Sequence, residues 1–181
     1  MKPALLFALF LSPAAVLAGD LQIKVQKRQA NSPQSQPSGN GLTLKVKESF
    51  LYEVTVTNSA FKPSPELQAR YVIFIDRQDL GSKQGTEKED RITGDAPVGA
   101  LAPHGNTSFR TKPVQLKEQS LTGGWIYSNG GRIKAKDSLA GVWIKLFEGE
   151  KEVAEYANPS TLTSRHQWAE VSVAKAGKKQ H

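Results

Sequence analysis

The sequence has no cysteine, one methionine, three histidines and no apolar run long enough to span a bilayer, and each shortage removes a class of protein. Without cysteine there is no disulfide framework, no thiol nucleophile, no thiolate metal site and no lipidation anchor, so burial of apolar surface must hold the fold. His104, His166 and His181 are scattered along the chain, without the spacing of a zinc site or a partnered nucleophile. No Gly-x-Ser-x-Gly elbow occurs. The glycine pairs at 39–41, 123–124 and 130–131 lack the Lys-Ser/Thr ending of a phosphate cradle and read as turns. No enzyme activity, cofactor or metal is therefore expected. Carboxylates are plentiful, but Glu87, Glu89, Asp90 and Asp95 are interspersed with Lys88 and Arg91, and Glu148, Glu150, Glu152 and Glu155 crowd one segment. Both groups read as solvated charges rather than as a calcium loop or a glycosidase pair.

The first eighteen residues carry Lys2, an apolar stretch from Ala4 to Leu11, a break at Pro13 and small or aliphatic residues up to Ala18, the pattern of a secretory signal peptide. Its apolar core falls short of the roughly 20 residues a spanning helix needs, and the mature chain is expected to hold no transmembrane segment. Removal of 1–18 leaves about 160 residues, enough for one domain with a sizeable core. The formal charge is +7, part of it in a basic tail at 175–181. In an envelope such a charge favours anionic partners, or simply solubility. Export and the lack of a basic helix argue against nucleic acid.

Apolar and polar residues alternate at a period of two in segment after segment, and no long stretch has a period of 3.6. Leu21, Ile23 and Val25 start the pattern at 19–41, and Ala30 to Gly41, made of Asn, Ser, Gln, Pro and Gly after its first residue, reads as a flexible connector. Over 42–174 a β-sandwich is expected. Leu42, Leu44 and Val46 alternate, the phase slips at Glu48–Leu51, and Tyr52, Val54 and Val56 resume it, which predicts a bend, bulge or turn. Leu67 to Asp76 is apolar on both faces and should be central. Gly81 to Asp95 reads as an exposed loop with a short edge strand at 90–93, and strands are expected at 98–101, 108–116 and 124–127. Val142–Phe147, Glu148-Gly149-Glu150-Lys151 and Glu152–Ala157 form a hairpin whose core face carries Val142, Ile144 and Leu146. One or two helical turns at 162–169 precede a last strand at 170–174. Some seven to nine short antiparallel strands describe an all-β, immunoglobulin-like β-sandwich, with a barrel as competitor.

Aromatic side chains are the candidate interaction residues. Trp125 and Tyr127 share one strand face, and Trp143 and Phe147 share the lysine-bearing face of another. Such faces pack a core, anchor a protein interface or stack on sugars. The free edge near Leu21, or the 30–41 arm, could also exchange with a partner strand.

Leu51-Tyr52-Glu53-Val54-Thr55-Val56-Thr57-Asn58, Tyr71-Val72-Ile73-Phe74-Ile75, and Ser138 to Phe147 continuing to Ala157-Asn158-Pro159-Ser160-Thr161-Leu162 together resemble small exported immunoglobulin-like proteins of the Verrucomicrobia and Planctomycetes. The likeness is to the kind encoded beside pilus-associated outer-membrane proteins in Akkermansia. It covers about Leu42 to Leu162, and its motifs are sheet patterns. It implies an immunoglobulin-like fold and a place in or near a type IV pilus-like assembly, and it implies no active-site residues. No prepilin signature precedes a long apolar helix, so an accessory component is expected rather than a major pilin. The expected function is a non-catalytic interaction module of the bacterial envelope, periplasmic or at the outer-membrane surface, binding envelope or pilus-like assembly proteins. The alternative is a carbohydrate-binding module for extracellular or host glycans.

Overall fold

Alternation at period two becomes strand because each strand can then turn one row of apolar side chains to a shared core and one to water. A computed structural model describes residues 20–37, 43–83, 86–121, 131 and 133–171. The strands are β1 (Leu21–Pro37), β2 (Thr43–Asn58), β3 (Leu67–Arg77), β4 (Lys88–Gly99), β5 (Asn106–Arg110), β6 (Val114–Leu121), β7 (Lys134–Lys136), β8 (Ser138–Glu148) and β9 (Lys151–Asn158). Two single helical turns follow, α1 (Leu162–Arg165) and α2 (Trp168–Val171).

Sheet A has the order β1-β2-β6-β7, with β5 also paired to β2, and sheet B has the order β4-β3-β8-β9. Every pairing among the described residues is antiparallel. The chain crosses from sheet A to sheet B after β2, returns after β4 and crosses again after β7. Among the described residues the result is an immunoglobulin-like sandwich of nine strands.

Between the sheets lie Ile23, Val54, Val56, Val114 and Leu116 from sheet A, against Tyr71, Ile73, Ile75, Val142, Ile144, Leu146 and Tyr156 from sheet B. The hairpin is where the alternation puts it, with Val142, Ile144 and Leu146 in this core and Glu148 paired to Lys151 across its turn. Strand β3 is central and buried on both faces. Its other face carries Val72 and Phe74, which form a second, smaller cluster with Trp143 and Leu162. At the far end of the sandwich Arg77, closing β3, donates to Asp137 Oδ2 at 2.6 Å and to the Gln115 carbonyl at 2.9 Å. That ion pair ties sheet B to sheet A where the apolar core runs out.

Five expectations are corrected or narrowed. The connector from Ala30 is strand as far as Pro37, because β1 stays paired with β2, at the cost of register shifts between Gln29 and Gln34. Of the bend, bulge or turn foreseen at Glu48–Leu51, no turn is present, and the irregularity there is a register shift against β1 at Phe50 and Ser49. The phase slip falls where the other edge of β2 changes partner, from β6 over Thr43–Phe50 to β5 over Glu53–Thr57. The edge strand foreseen at 90–93 is longer than expected, since Lys88–Gly99 pairs along the whole of β3, and its charges lie at a sheet edge. The single strand foreseen at 108–116 is two, split around Thr111, whose hydroxyl accepts from the Tyr52 amide at 2.9 Å. Glu170 and Val171 belong to a helical turn. Residues 1–18, the strand foreseen at 124–127, the rest of 170–174 and the tail lie outside the described residues.

Candidate functional site

The candidate aromatics occupy the outer face of sheet B. Register places Trp143 beside Val72 and Ala157, and Lys145 beside Arg70 and Glu155. The Trp143 indole N–H donates to Glu155 Oε1 at 2.8 Å. Lys145 Nζ bonds Glu152 at 2.7 Å and lies 3.2 Å from Glu155. This face is not open. After β9 the chain doubles back over it, setting Leu162 on Val72 and Phe74, the His166 ring on Phe74 at 4.9 Å, and Trp168 edge-on to Trp143 at 5.1 Å and tilted on Phe147 at 6.5 Å.

Trp143 is 3 % and Phe147 7 % exposed, so neither offers a stacking platform, although an edge of Phe147 lines a cleft of about 500 Å³ with Leu67, Pro97 and Gly149. Of the roles left open for them, core packing is the one they fill. Trp125 and Tyr127 lie outside the described residues. The two candidate pairs are therefore not shown to meet.

Among the described residues no group of three or more histidines or carboxylates could hold a metal. His166 Nε2 lies 3.2 Å from Glu89 Oε2 without hydrogen-bond alignment. Glu89 also pairs with Arg91, and Asp90 with Arg77. No described helix is long and apolar enough to cross a membrane.

Two large apolar side chains stand exposed among the described residues: Ile133, at 44 %, just before β7, and Phe61 at one end of the sandwich, where the β2–β3 and β4–β5 connections meet. Asn58, 1 % exposed, sits beneath them. Its amide donates to the carbonyls of Lys62 at 2.8 Å and Ala102 at 3.1 Å, and its carbonyl accepts from the Ala60 amide at 3.0 Å. Ser64 and Leu101 exchange bonds in both directions, Ser64 N to Leu101 O and Leu101 N to Ser64 Oγ, each at 2.8 Å. His104 takes a left-handed backbone, φ 57°, in the turn closed by Gly105 N to Ala102 O at 2.9 Å. For a residue with a Cβ that conformation carries a cost of order 1 kcal/mol, which its surroundings must hold.

These bonds present Phe61 at 90 % exposure, its ring edge-on to His104 at 4.8 Å. Beside it opens a cleft of about 350 Å³ lined by Leu21, Ala60, Lys62, Pro65, Lys151 and Val153, among others. Sequence reasoning placed Phe61 only as part of a turn. The available signal was an aromatic ring in a proline-rich connection, belonging to the alternation of neither flanking strand.

No protein-family profile matches this chain, and none of the curated proteins matches it. Several solved structures do. One is a Northeast Structural Genomics Consortium target, 12 % identical, with 92 % of this chain and 96 % of that chain covered and a TM-score of 0.38. Another is a Bordetella pertussis structure described as an ApaA protein, 18 % identical, with 76 % and 91 % covered and a TM-score of 0.38. A third comes from Akkermansia muciniphila, 11 % identical, with 81 % and 74 % covered and a TM-score of 0.27. At such identities and TM-scores, fold and function rest on the geometry of the chain itself.

Proposed function

We propose that the protein is a non-catalytic interaction module of the bacterial envelope, an accessory component of a type IV pilus-like or adhesive outer-membrane assembly. It engages its partner end-on, through the Phe61 knob. The observation that carries this is the exposure of Phe61 on loops fixed by the buried Asn58 network and a strained His104. A single surface phenylalanine is ordinary; one on a preorganised scaffold loses little entropy on docking and has the character of an interface anchor. Lys62 and Lys151 beside the adjacent cleft suit a partner whose apolar pocket is rimmed by carboxylates. The expected leader at 1–18 and the sequence resemblance support the envelope setting.

The test places a photo-cross-linking phenylalanine at position 61 of a chromosomally tagged copy, with a second copy carrying it at Ser108 on the outer face of sheet A. Irradiation of intact cells and mass spectrometry then identify adducts. Outer-membrane or pilus-assembly proteins recovered from position 61 and not from position 108 are the expected result. No adduct at 61, or the same set from both positions, overturns the proposal. Phe61→Ala is expected to shift stability by less than about 0.5 kcal/mol while abolishing co-purification of that partner.

A further inference from the structure

The segment Ser160–Val171 differs in kind from the strands it covers. Its backbone bonds stay within it and the proline just before it: Leu162 N to Pro159 O at 3.1 Å, Thr163 N to Ser160 O at 3.3 Å, Arg165 N to Thr161 O at 3.1 Å and His166 N to Leu162 O at 3.0 Å. The Thr163 and Ser164 hydroxyls likewise donate to Ser160 and Thr161 carbonyls. Among the described residues no hydrogen bond joins it to sheet B. It is held by Leu162, His166 and Trp168 alone, whereas β9, just before it, is laddered to β8 as far as Asn158.

The surface beneath is shaped for this segment. Gly141 lies where the β3–β8 register shifts, and a Cβ there would stand 2.5 Å from the Asn158 carbonyl and 2.8 Å from both Leu162 Cδ1 and Pro159 Cδ. Only glycine admits the strap at its entrance. Beyond it, Val72, Phe74 and Trp143 form a trough that receives an aliphatic side chain, then an imidazole four residues on, then an indole two further.

We propose that Ser160–Val171 is an exchangeable strap, and that the trough on β3 and β8 takes the same segment from a second copy of this chain. Every contact that seats the strap is a side-chain contact, so all of them are reproduced when it arrives from another molecule, and no ladder bond has to break for it to leave. The connection at Ser160–Thr161 is exposed and can redirect the chain. Such an exchange links molecules without creating any new surface. It rests on residues other than the Phe61 knob, so either reading can fail alone.

Because the chain has no cysteine, an introduced thiol is unique. Full-length Phe74→Cys and full-length His166→Cys are mixed at rising concentration and treated with a short bis-maleimide, each alone serving as control. The two positions face each other only where a strap lies in a trough. A covalent heterodimer that grows with concentration and exceeds both controls several-fold is expected. If the mixture stays monomeric while the double variant closes internally, the strap binds only its own molecule and exchange is overturned. Since Phe74→Cys can damage the trough, the unaltered protein provides the second measurement. In a concentrated mixture of ¹³C-labelled and unlabelled chains, isotope-filtered contacts between the His166 ring of one and the Phe74 ring of the other are expected, and their absence overturns the proposal.

Discussion

Asn58 shows how one polar residue can fix an exposed one. An asparagine amide has two donor hydrogens and a carbonyl with two lone pairs, and here both ends are used on backbone groups of two different connections. Removing the side chain leaves those carbonyls and an amide with no partner beneath the knob. Asn58→Ala is expected to lower stability by about 2–4 kcal/mol, since lost bonds and stranded buried groups add, read as a fall in the urea midpoint with little change in slope. Conversely, Phe61 itself contributes almost nothing to the fold. A large loss of stability in Phe61→Ala would mean that its ring is a packing element after all.

At the scale of elements, β3 and β4 meet through a glycine rather than a pair of side chains. Tyr71 lies opposite Gly94, and its hydroxyl accepts the Lys112 amide proton at 2.9 Å, so the ring crosses the space a side chain at 94 would fill. A Cβ there would lie 2.5 Å from Tyr71 Cζ. Gly94→Ala is expected to cost about 1–3 kcal/mol, and the penalty should largely vanish in a Tyr71→Leu background; a double-mutant cycle with no coupling would contradict this. The same pairing explains how far the fold could be read in advance. Strands with a half-buried row, such as Val142, Ile144 and Leu146, announce themselves. Strand β4 announces only the short edge piece at 90–93, because its Glu89, Asp90 and Arg91 lie at a sheet edge, where charged side chains break the apolar alternation; the Arg91 guanidinium lies over the Phe74 ring at 5.8 Å. For Trp143 and Phe147 core packing was one of the roles the sequence left open; the choice among them was not legible, because the helical turns foreseen at 162–169 carry no signal that they fold back over sheet B and set Trp168 on both rings. Phe61 was illegible because exposure depends on the meeting of two connections distant in sequence.

For the whole molecule, the absence of disulfides leaves the inter-sheet core as the main determinant of stability, and that core contains phenols. Burial pushes Tyr52 up to about 12, with Tyr156 adding to the effect. Burial likewise raises Tyr71 and Tyr156. A phenol with a raised folded value keeps its proton when the unfolded chain has lost it. Its contribution is therefore intact below pH 10 and is lost as pH rises from about 10 to 12. Tyr52 alone should remove roughly 1.4 kcal/mol of stability per pH unit across that window. Denaturation series at pH 9 to 11.5 are expected to show this slope and to show it reduced in Tyr52→Phe. A flat profile would mean that Tyr52 ionises freely in the folded state.

Strands β1 and β9 start at the same end of the sandwich, where Leu21 and Lys151 line one cleft, and both run away from it. A pull applied between Leu21 and Asn158 therefore acts along the strands. It must slide β1 past β2 against 14 paired positions that fail together, rather than one after another as in a zipper. A pull applied beyond Val171 instead of at Asn158 loads the strap as well, and the strap, held by side-chain packing, would peel first and lengthen the chain while the sandwich stays shut. Under tension such a fold behaves as a rigid link with a short, soft tether at one end.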